Sequence, residues 1–208
     1  MSNVLVINSS VLREASVSRT VVQKLLAQLV FQSPKRTVVE RDLGTTPVPH
    51  LTDATVAGVR GVPTTDAELQ ARALSDELIG ELRKVDIILI GAPMYNFGLP
   101  TGLRAWFDHI LRAGETFAYS AAGPKGLVEG KRAVVVVSRG GFYSEGPYKP
   151  FDFQEPYIRQ LLGFIGITDV TFIRAEKIGL GPQAREEAIA GALRAVAQLA
   201  LPQASEAA

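Results

Sequence analysis

The strongest constraint in the chain is a set of short apolar runs that show no polar alternation. Val4-Leu5-Val6-Ile7, Asp86–Pro93 (DIILIGAP) and Arg132–Ser138 (RAVVVVS) are built from consecutive aliphatic residues, many of them β-branched. A strand packed on one face alternates apolar with polar residues, whereas a continuous run belongs to a strand covered on both faces. Such strands mark a parallel sheet, because the crossover helices that parallel pairing requires come to lie on its two faces. Two weaker runs, Arg36–Leu43 (RTVVERDL) and Asp169–Ala175 (DVTFIRA), bring the set to five. The first of these is less apolar and is expected near a sheet edge.

Between the runs, apolar residues recur at helical spacing. Val21, Val22, Leu25, Leu26, Leu29 and Val30 predict an amphipathic helix after the first strand. Thr65-x-x-Glu68 matches a capping box, and Leu69, Ala73, Leu78, Ile79 and Leu82 carry that helix to about Val85. Further helices are expected over Thr101–Leu111, Glu155–Phe164 and Arg185–Leu201. His50–Pro63 reads as a surface excursion, Gly114–Lys131 as a long connection with room for a small hairpin, and Gly140–Phe153 as an irregular loop. The pattern predicts one α/β domain over residues 1–202: a doubly wound five-stranded parallel sheet with helices on both faces, followed by a frayed tail at 203–208.

Composition narrows the chemistry. With 208 residues the chain is long enough to bury about 70% of its unfolded surface and needs no covalent staple. It has no cysteine, which excludes disulfides, thiolate nucleophiles and cysteine-ligated metals. Its two histidines, His50 and His109, offer little for a metal site, and none is expected. Twenty-two basic against 21 acidic side chains leave a net charge of +1, so neither nucleic acid nor an anionic membrane is an expected partner. Val4–Ile7 is too short for a signal-peptide core. The uncharged stretch Ile87–Leu103 is broken by Gly91, Pro93, Asn96, Gly98 and Pro100, so it does not read as a membrane span. A cytoplasmic location is expected.

In open parallel sheets ligands bind beyond the carboxyl ends of the strands, where the strand order reverses. Three loops should meet there. The first carries Ser9-Ser10 and then Ser16-Val17-Ser18 at a helix start, where free N–H groups and the helix dipole favour an anion. Neither GxGxxG nor GxxxxGK[ST] is present, so a monophosphate fits better than a dinucleotide or a P-loop nucleotide; alternatively these serines only cap the helix. The second loop is Met94-Tyr95-Asn96-Phe97-Gly98-Leu99-Pro100. Its aromatics suit a planar ring and its carboxamide suits a uracil-like edge, unless the aromatics pack on the core while Asn96 makes a turn. The third is Ser138-Arg139-Gly140-Gly141, whose glycines either let backbone approach a ligand or serve a tight turn of positive φ. Arg139 is expected either to counter a ligand's charge or to lie in solvent.

Taken together, VLVINSS, the S-x-S helix start, GAPMYNFGLP, RAGETFAY, GLVEGK, SRGG and LGFIGITDV resemble the FMN-dependent NADH-azoreductases, a flavodoxin-like family of quinone reductases, over essentially the whole chain. The resemblance implies that Ser10, Ser16, Val17 and Ser18 hold the FMN phosphate. It implies that Met94, Tyr95, Asn96 and Phe97 line the isoalloxazine and that Ser138, Arg139, Gly140 and Gly141 close its other side. It further implies a homodimer with active sites between subunits, and a substrate cleft walled by Phe97, Tyr119, Phe142 and Tyr143. Members differ after SRGG and around Leu161.

The same resemblance implies the chemistry. Two electrons pass from NADH or NADPH to a quinone or an azo compound in a ping-pong cycle, with the cofactor rather than a catalytic side chain doing the chemistry. His109 is expected to serve helix packing. The nearest enzymatic alternative is an NAD(P)H-dependent FMN or chromate reductase. A flavodoxin-type electron carrier is disfavoured by the neutral charge and long inserts, and a receiver-type signalling domain by Gly91-Ala92-Pro93 where a phosphoacceptor would stand.

Overall fold

The computed structural model describes residues 3–200. Its strands are β1 (Val4–Asn8), β2 (Val38–Asp42), β3 (Ile87–Pro93), β4 (Phe117–Ser120), β5 (Gly123–Gly126), β6 (Arg132–Ser138) and β7 (Asp169–Ala175). Its helices are α1 (Val17–Gln32), α2 (Val56–Arg60), α3 (Asp66–Arg83), α4 (Thr101–Ile110), α5 (Glu155–Phe164) and α6 (Pro182–Gln198). Five strands form one parallel sheet in the order β2-β1-β3-β6-β7, the flavodoxin-like order, with β2 at an edge as expected. The register is nearly flush: Val4 pairs with both Val38 and Ile87, Ile87 with Arg132, and Arg132 with Asp169. Asn8, Pro93, Ser138 and Ala175 therefore end their strands along one edge. The strand order reverses between β1 and β3, and that reversal locates the candidate site.

The unbroken apolar runs are explained by the two cores. Leu5, Ile7, Ile88, Ile90, Val135 and Val137 face one side, against Leu78, Leu82, Leu103, Trp106, Phe107, Ile158 and Leu162 of α3, α4 and α5. Val4, Val6, Ile87, Leu89, Val134 and Val136 face the other, against Val21, Leu25, Leu29, Ala192 and Val196 of α1 and α6. The period-two geometry of a strand is intact, but both of its faces are dry. Each fully buried Val, Leu or Ile contributes about 1.5–3 kcal/mol.

Several boundaries moved for identifiable reasons. The capping box is formed: Thr65 Oγ1 accepts the Glu68 N–H at 3.3 Å and Glu68 Oε2 accepts the Thr65 N–H at 2.9 Å. Within His50–Pro63 lies α2, five residues long and too short to show a period. Arg72 of α3 holds it by donating to the carbonyls of Gly58 and Gly61. Gly114–Lys131 does contain a small hairpin, β4–β5, and the loop after β6 contains a 3₁₀ turn over Gly146–Phe151. Helix α6 starts three residues early because Pro182 sits in its first turn, where its missing N–H costs nothing. The tail expected to fray lies outside the described residues. Among the described residues no helix is long and apolar enough to cross a membrane, and no cluster of three or more metal-ligating side chains is present.

Candidate functional site: a cleft at the carboxyl ends of β1, β3 and β6

The arm after β1 is built from buried hydroxyls. Ser9, Ser10, Ser16 and Ser18 are all buried, an unusual setting for a residue that is mostly exposed. Ser16 is the N-cap of α1, its Oγ accepting the Arg19 N–H at 3.2 Å, and the Ser18 Oγ lies 3.2 Å from the Ser16 Oγ. The cap reading therefore holds for Ser16, while Ser18 is left as an added hydroxyl beside the first N–H groups of the helix. Those of Val17 and Ser18 precede any intrahelical acceptor. Arg19 is engaged with Asp42 at 2.7 Å, so the donors here are neutral hydroxyls and N–H groups backed by the helix dipole.

The arm after β3 is a strained turn. Tyr95 and Gly98 exchange backbone hydrogen bonds (3.2 and 3.1 Å), and the two central residues, Asn96 (φ 48°) and Phe97 (φ 69°), are both left-handed. This is the geometry of a mirror-image type I turn, which favours Asn and Gly. Asn96 tolerates it, but a phenylalanine there costs on the order of 1 kcal/mol or more. In return the Phe97 ring stands at the rim, 48% exposed, edge-on to Tyr143 (centroids 6.1 Å apart) and 6.2 Å from Phe151. The turn is real, but Phe97 does not pack on the core. Tyr95 Oη lies 3.4 Å from Ser10 Oγ and accepts the Val11 N–H at 3.3 Å, which ties this arm to the first.

The third loop, after β6, departs from expectation at Arg139 and removes one of the two readings of its glycines. Neither Gly140 nor Gly141 has positive φ, so turn geometry does not require them. A Cβ on exposed Gly140 would meet nothing within 4 Å, but a Cβ on Gly141 would meet the Tyr143 ring at 3.1 Å. Gly141 thus makes room for Tyr143. Arg139 is neither solvated nor aimed at a ligand; its side chain is wholly buried and paired with Asp152, Glu155 and Glu176. Its carboxylate partners come from segments beyond its own turn. It can meet a ligand through backbone only. The turn is braced from behind, where Lys177, Ile178 and Gly179 donate backbone bonds to Gly141, Arg139 and Gly140 at 2.8, 3.1 and 3.0 Å. Among the described residues the N–H groups of Asn96, Phe97, Gly140 and Gly141 find no backbone acceptor, leaving donors at the mouth of the cleft.

Of the expected cleft residues, Phe97 and Tyr143 come together, joined by Tyr148 and Phe151, each about 6.1–6.5 Å from its neighbours. Phe142 carries the Lys177 ammonium over its ring at 4.4 Å. Tyr119 is not brought to this cluster. It stands on β4, 74% exposed, in edge contact with Phe117 and beside Arg60 and Arg112. Sequence reasoning missed Tyr148, Phe151, Gln154 and Glu176; the density of aromatics in GPYKPFDF was the one readable signal. His109 is buried in α4 with its Nε2 3.1 Å from the Pro49 carbonyl, and burial holds its pKa below the usual value.

Comparison with known proteins agrees with this fold. A family model described as a flavodoxin-like fold matches residues 2–200. The FMN-dependent NADH:quinone oxidoreductase of Hyphomonas neptunium is 61% identical over 96% of each chain. That of Azotobacter vinelandii is 47% identical over 96% of this chain and all of its own. The crystal structure of an azoreductase from Bacillus anthracis superposes with a TM-score of 0.86 at 30% identity, covering 95% of this chain and 98% of the other. The chain belongs to the flavodoxin-like family of FMN-dependent NADH:quinone oxidoreductases.

Proposed function

We propose that the chain uses FMN to carry two electrons from NADH to quinones and aromatic azo compounds. The observation that carries this reading is the meeting of two unlike arms at one cleft: a neutral anion-binding helix start and an exposed aromatic turn, bridged by Tyr95. That pairing matches a molecule with a phosphate at one end and a flat heterocycle at the other. The unfilled space at Gly140 and the buried serines at the start of α1 fit FMN.

Ser10, Ser16, Val17 and Ser18 would hold the phosphate through hydroxyls and N–H groups. Met94, Tyr95, Asn96 and Phe97 would flank the ring on one side and Ser138, Gly140 and Gly141 on the other, with Arg139 adding backbone alone. When bound, FMN supplies hydride acceptance from NADH and two-electron delivery to the acceptor. The free N–H groups at the mouth favour negative charge on a bound ring. Phe97, Phe142 and Tyr143 wall the place where a nicotinamide or an acceptor stacks. Both partners need that one aromatic face, so the nicotinamide leaves before the acceptor enters, a ping-pong order. Tyr119, exposed and remote from the other cleft residues of its own chain, is assigned to the cleft of a second copy in a homodimer.

The test is optical. Protein reconstituted with FMN should show flavin bands that bleach on adding NADH under nitrogen and return on adding a benzoquinone. A protein that stays colourless after reconstitution overturns the reading.

A further inference from the structure

Beneath the aromatic wall lies a buried polar network that the proposed chemistry does not use. The Arg139 guanidinium lies 3.0 Å from Asp152, 3.2 Å from Glu176 and 3.5 Å from Glu155. Its Nε donates to Gln154 Oε1 at 3.2 Å, and Gln154, itself fully buried, donates from Nε2 to the Ala92 carbonyl at 3.0 Å. The network thereby reaches the end of β3, just before the Met94–Phe97 turn. At its other end Glu176 Oε1 accepts the backbone N–H groups of Tyr143 (2.8 Å) and Ser144 (3.0 Å), and Oε2 accepts the Ser144 hydroxyl (2.5 Å). Burial pushes the Glu176 carboxyl up, but Ser144, the Tyr143 N–H and Arg139 together bring it below its usual value.

A buried ion cluster is weak as a device for stability alone. This one joins all three segments that surround the ring side of the cleft. One carboxylate oxygen accepting two consecutive N–H groups fixes the peptide between them, and with it the direction in which Tyr143 leaves the chain. The Tyr143 ring then lies across Gly141 and in edge contact with Phe97.

We propose that Glu176 is a positioning residue for the electron acceptor, fixing the Tyr143–Ser144 backbone against the Arg139 turn and so setting the aromatic wall on which the acceptor stacks. This rests on the quinone-reductase reading above. The role is geometric. Glu176→Gln keeps one oxygen for the two N–H groups and offers an N–H to the Ser144 hydroxyl, whereas Glu176→Ala keeps neither.

The experiment pairs kinetics on the FMN-loaded enzyme with hydrogen exchange on the flavin-free chain. With NADH and a benzoquinone, Glu176→Ala should raise the quinone KM about tenfold while kcat and FMN content stay within about twofold, and Glu176→Gln should restore KM to within about threefold of wild type. Amides of residues 142–153 should exchange at least about tenfold faster in the flavin-free Glu176→Ala variant, with β1, β3 and β6 unchanged. Should Glu176→Ala fail to fold, Ser144→Ala, which removes a single hydroxyl, should still raise KM about threefold. A folded Glu176→Ala with wild-type KM and exchange overturns the proposal, as does an equal KM rise in Glu176→Gln or a fall in kcat with KM unchanged. If wild-type protein with bound FMN is not bleached by NADH, the quinone-reductase reading fails instead, and the exchange measurement alone judges whether Glu176 fixes the segment.

Discussion

The two arms of the cleft solve the same problem in opposite ways. The serine arm presents buried, uncharged side chains and is locally made: Ser10, Ser16 and Ser18 are buried, and Ser16 caps α1 within three residues of itself. The Phe142–Phe153 arm has exposed aromatic rings, and what holds it is a set of charges from far along the chain, with Arg139 and Glu176 separated by 37 residues. Under the proposed function, the serine arm would serve an anion that does not change between reactions. The aromatic surface, which would admit more than one partner, is open, with rigidity supplied from beneath. The difference teaches that order at a site need not come from the residues that meet the ligand.

The comparison breaks hardest if the ionic knot is cut. Arg139→Met leaves Asp152, Glu155 and Glu176 facing one another with little solvent, and should lower unfolding free energy by about 3–5 kcal/mol in chemical denaturation. A loss below about 1 kcal/mol means that the cluster does not brace the turn. The serine arm should behave in the opposite manner. Ser16→Asp preserves an N-cap acceptor and suits the helix dipole, so the flavin-free chain should keep its Tm. A carboxylate about 4 Å from a phosphate should nevertheless weaken FMN binding about 100-fold or more, measured by fluorescence titration.

Smaller effects sharpen the contrast. Phe97→Gly removes about 1 kcal/mol of left-handed strain but also two aromatic contacts worth about 0.5–1.5 kcal/mol each, so stability should fall by no more than about 2 kcal/mol. The quinone KM should rise severalfold in that variant, with a lesser effect on FMN affinity.

The smallest effect belongs to His109. Its folded pKa lies below the unfolded value, so the unfolded chain binds the extra proton. Its contribution is complete above about pH 6.5 and is lost as the pH falls below that. His109→Gln, which can still donate to the Pro49 carbonyl, should show a shallower fall in Tm between about pH 7 and 5.

The sheet was legible because its signal is local. Val4–Ile7, Ile87–Pro93 and Arg132–Ser138 each declare a doubly covered strand on their own, and the order of strands and helices then fixes where the site must lie. Ser16 and Asn96 were readable for the same reason: a cap and a turn are properties of a few neighbouring residues. Arg139 was misread because its surroundings are assembled from segments beyond its own turn. A side chain between Ser138 and Gly140 looks exposed until Asp152, Glu155 and Glu176 fold in around it. Tyr119 shows a third case, a residue whose placement in one chain is exact but whose proposed partners lie on another.

The central claim is that the space beside the Ser138–Gly141 turn belongs to the flavin, and Gly140 isolates it. A Cβ built there meets nothing within 4 Å in the chain itself. Gly140→Leu should therefore leave the flavin-free Tm unchanged, within the roughly 0.5 kcal/mol expected for a surface substitution. In a fluorescence titration the same variant should bind FMN at least about tenfold more weakly, because the added side chain takes the ring's place. Wild-type FMN affinity in Gly140→Leu would contradict the placement of the ring.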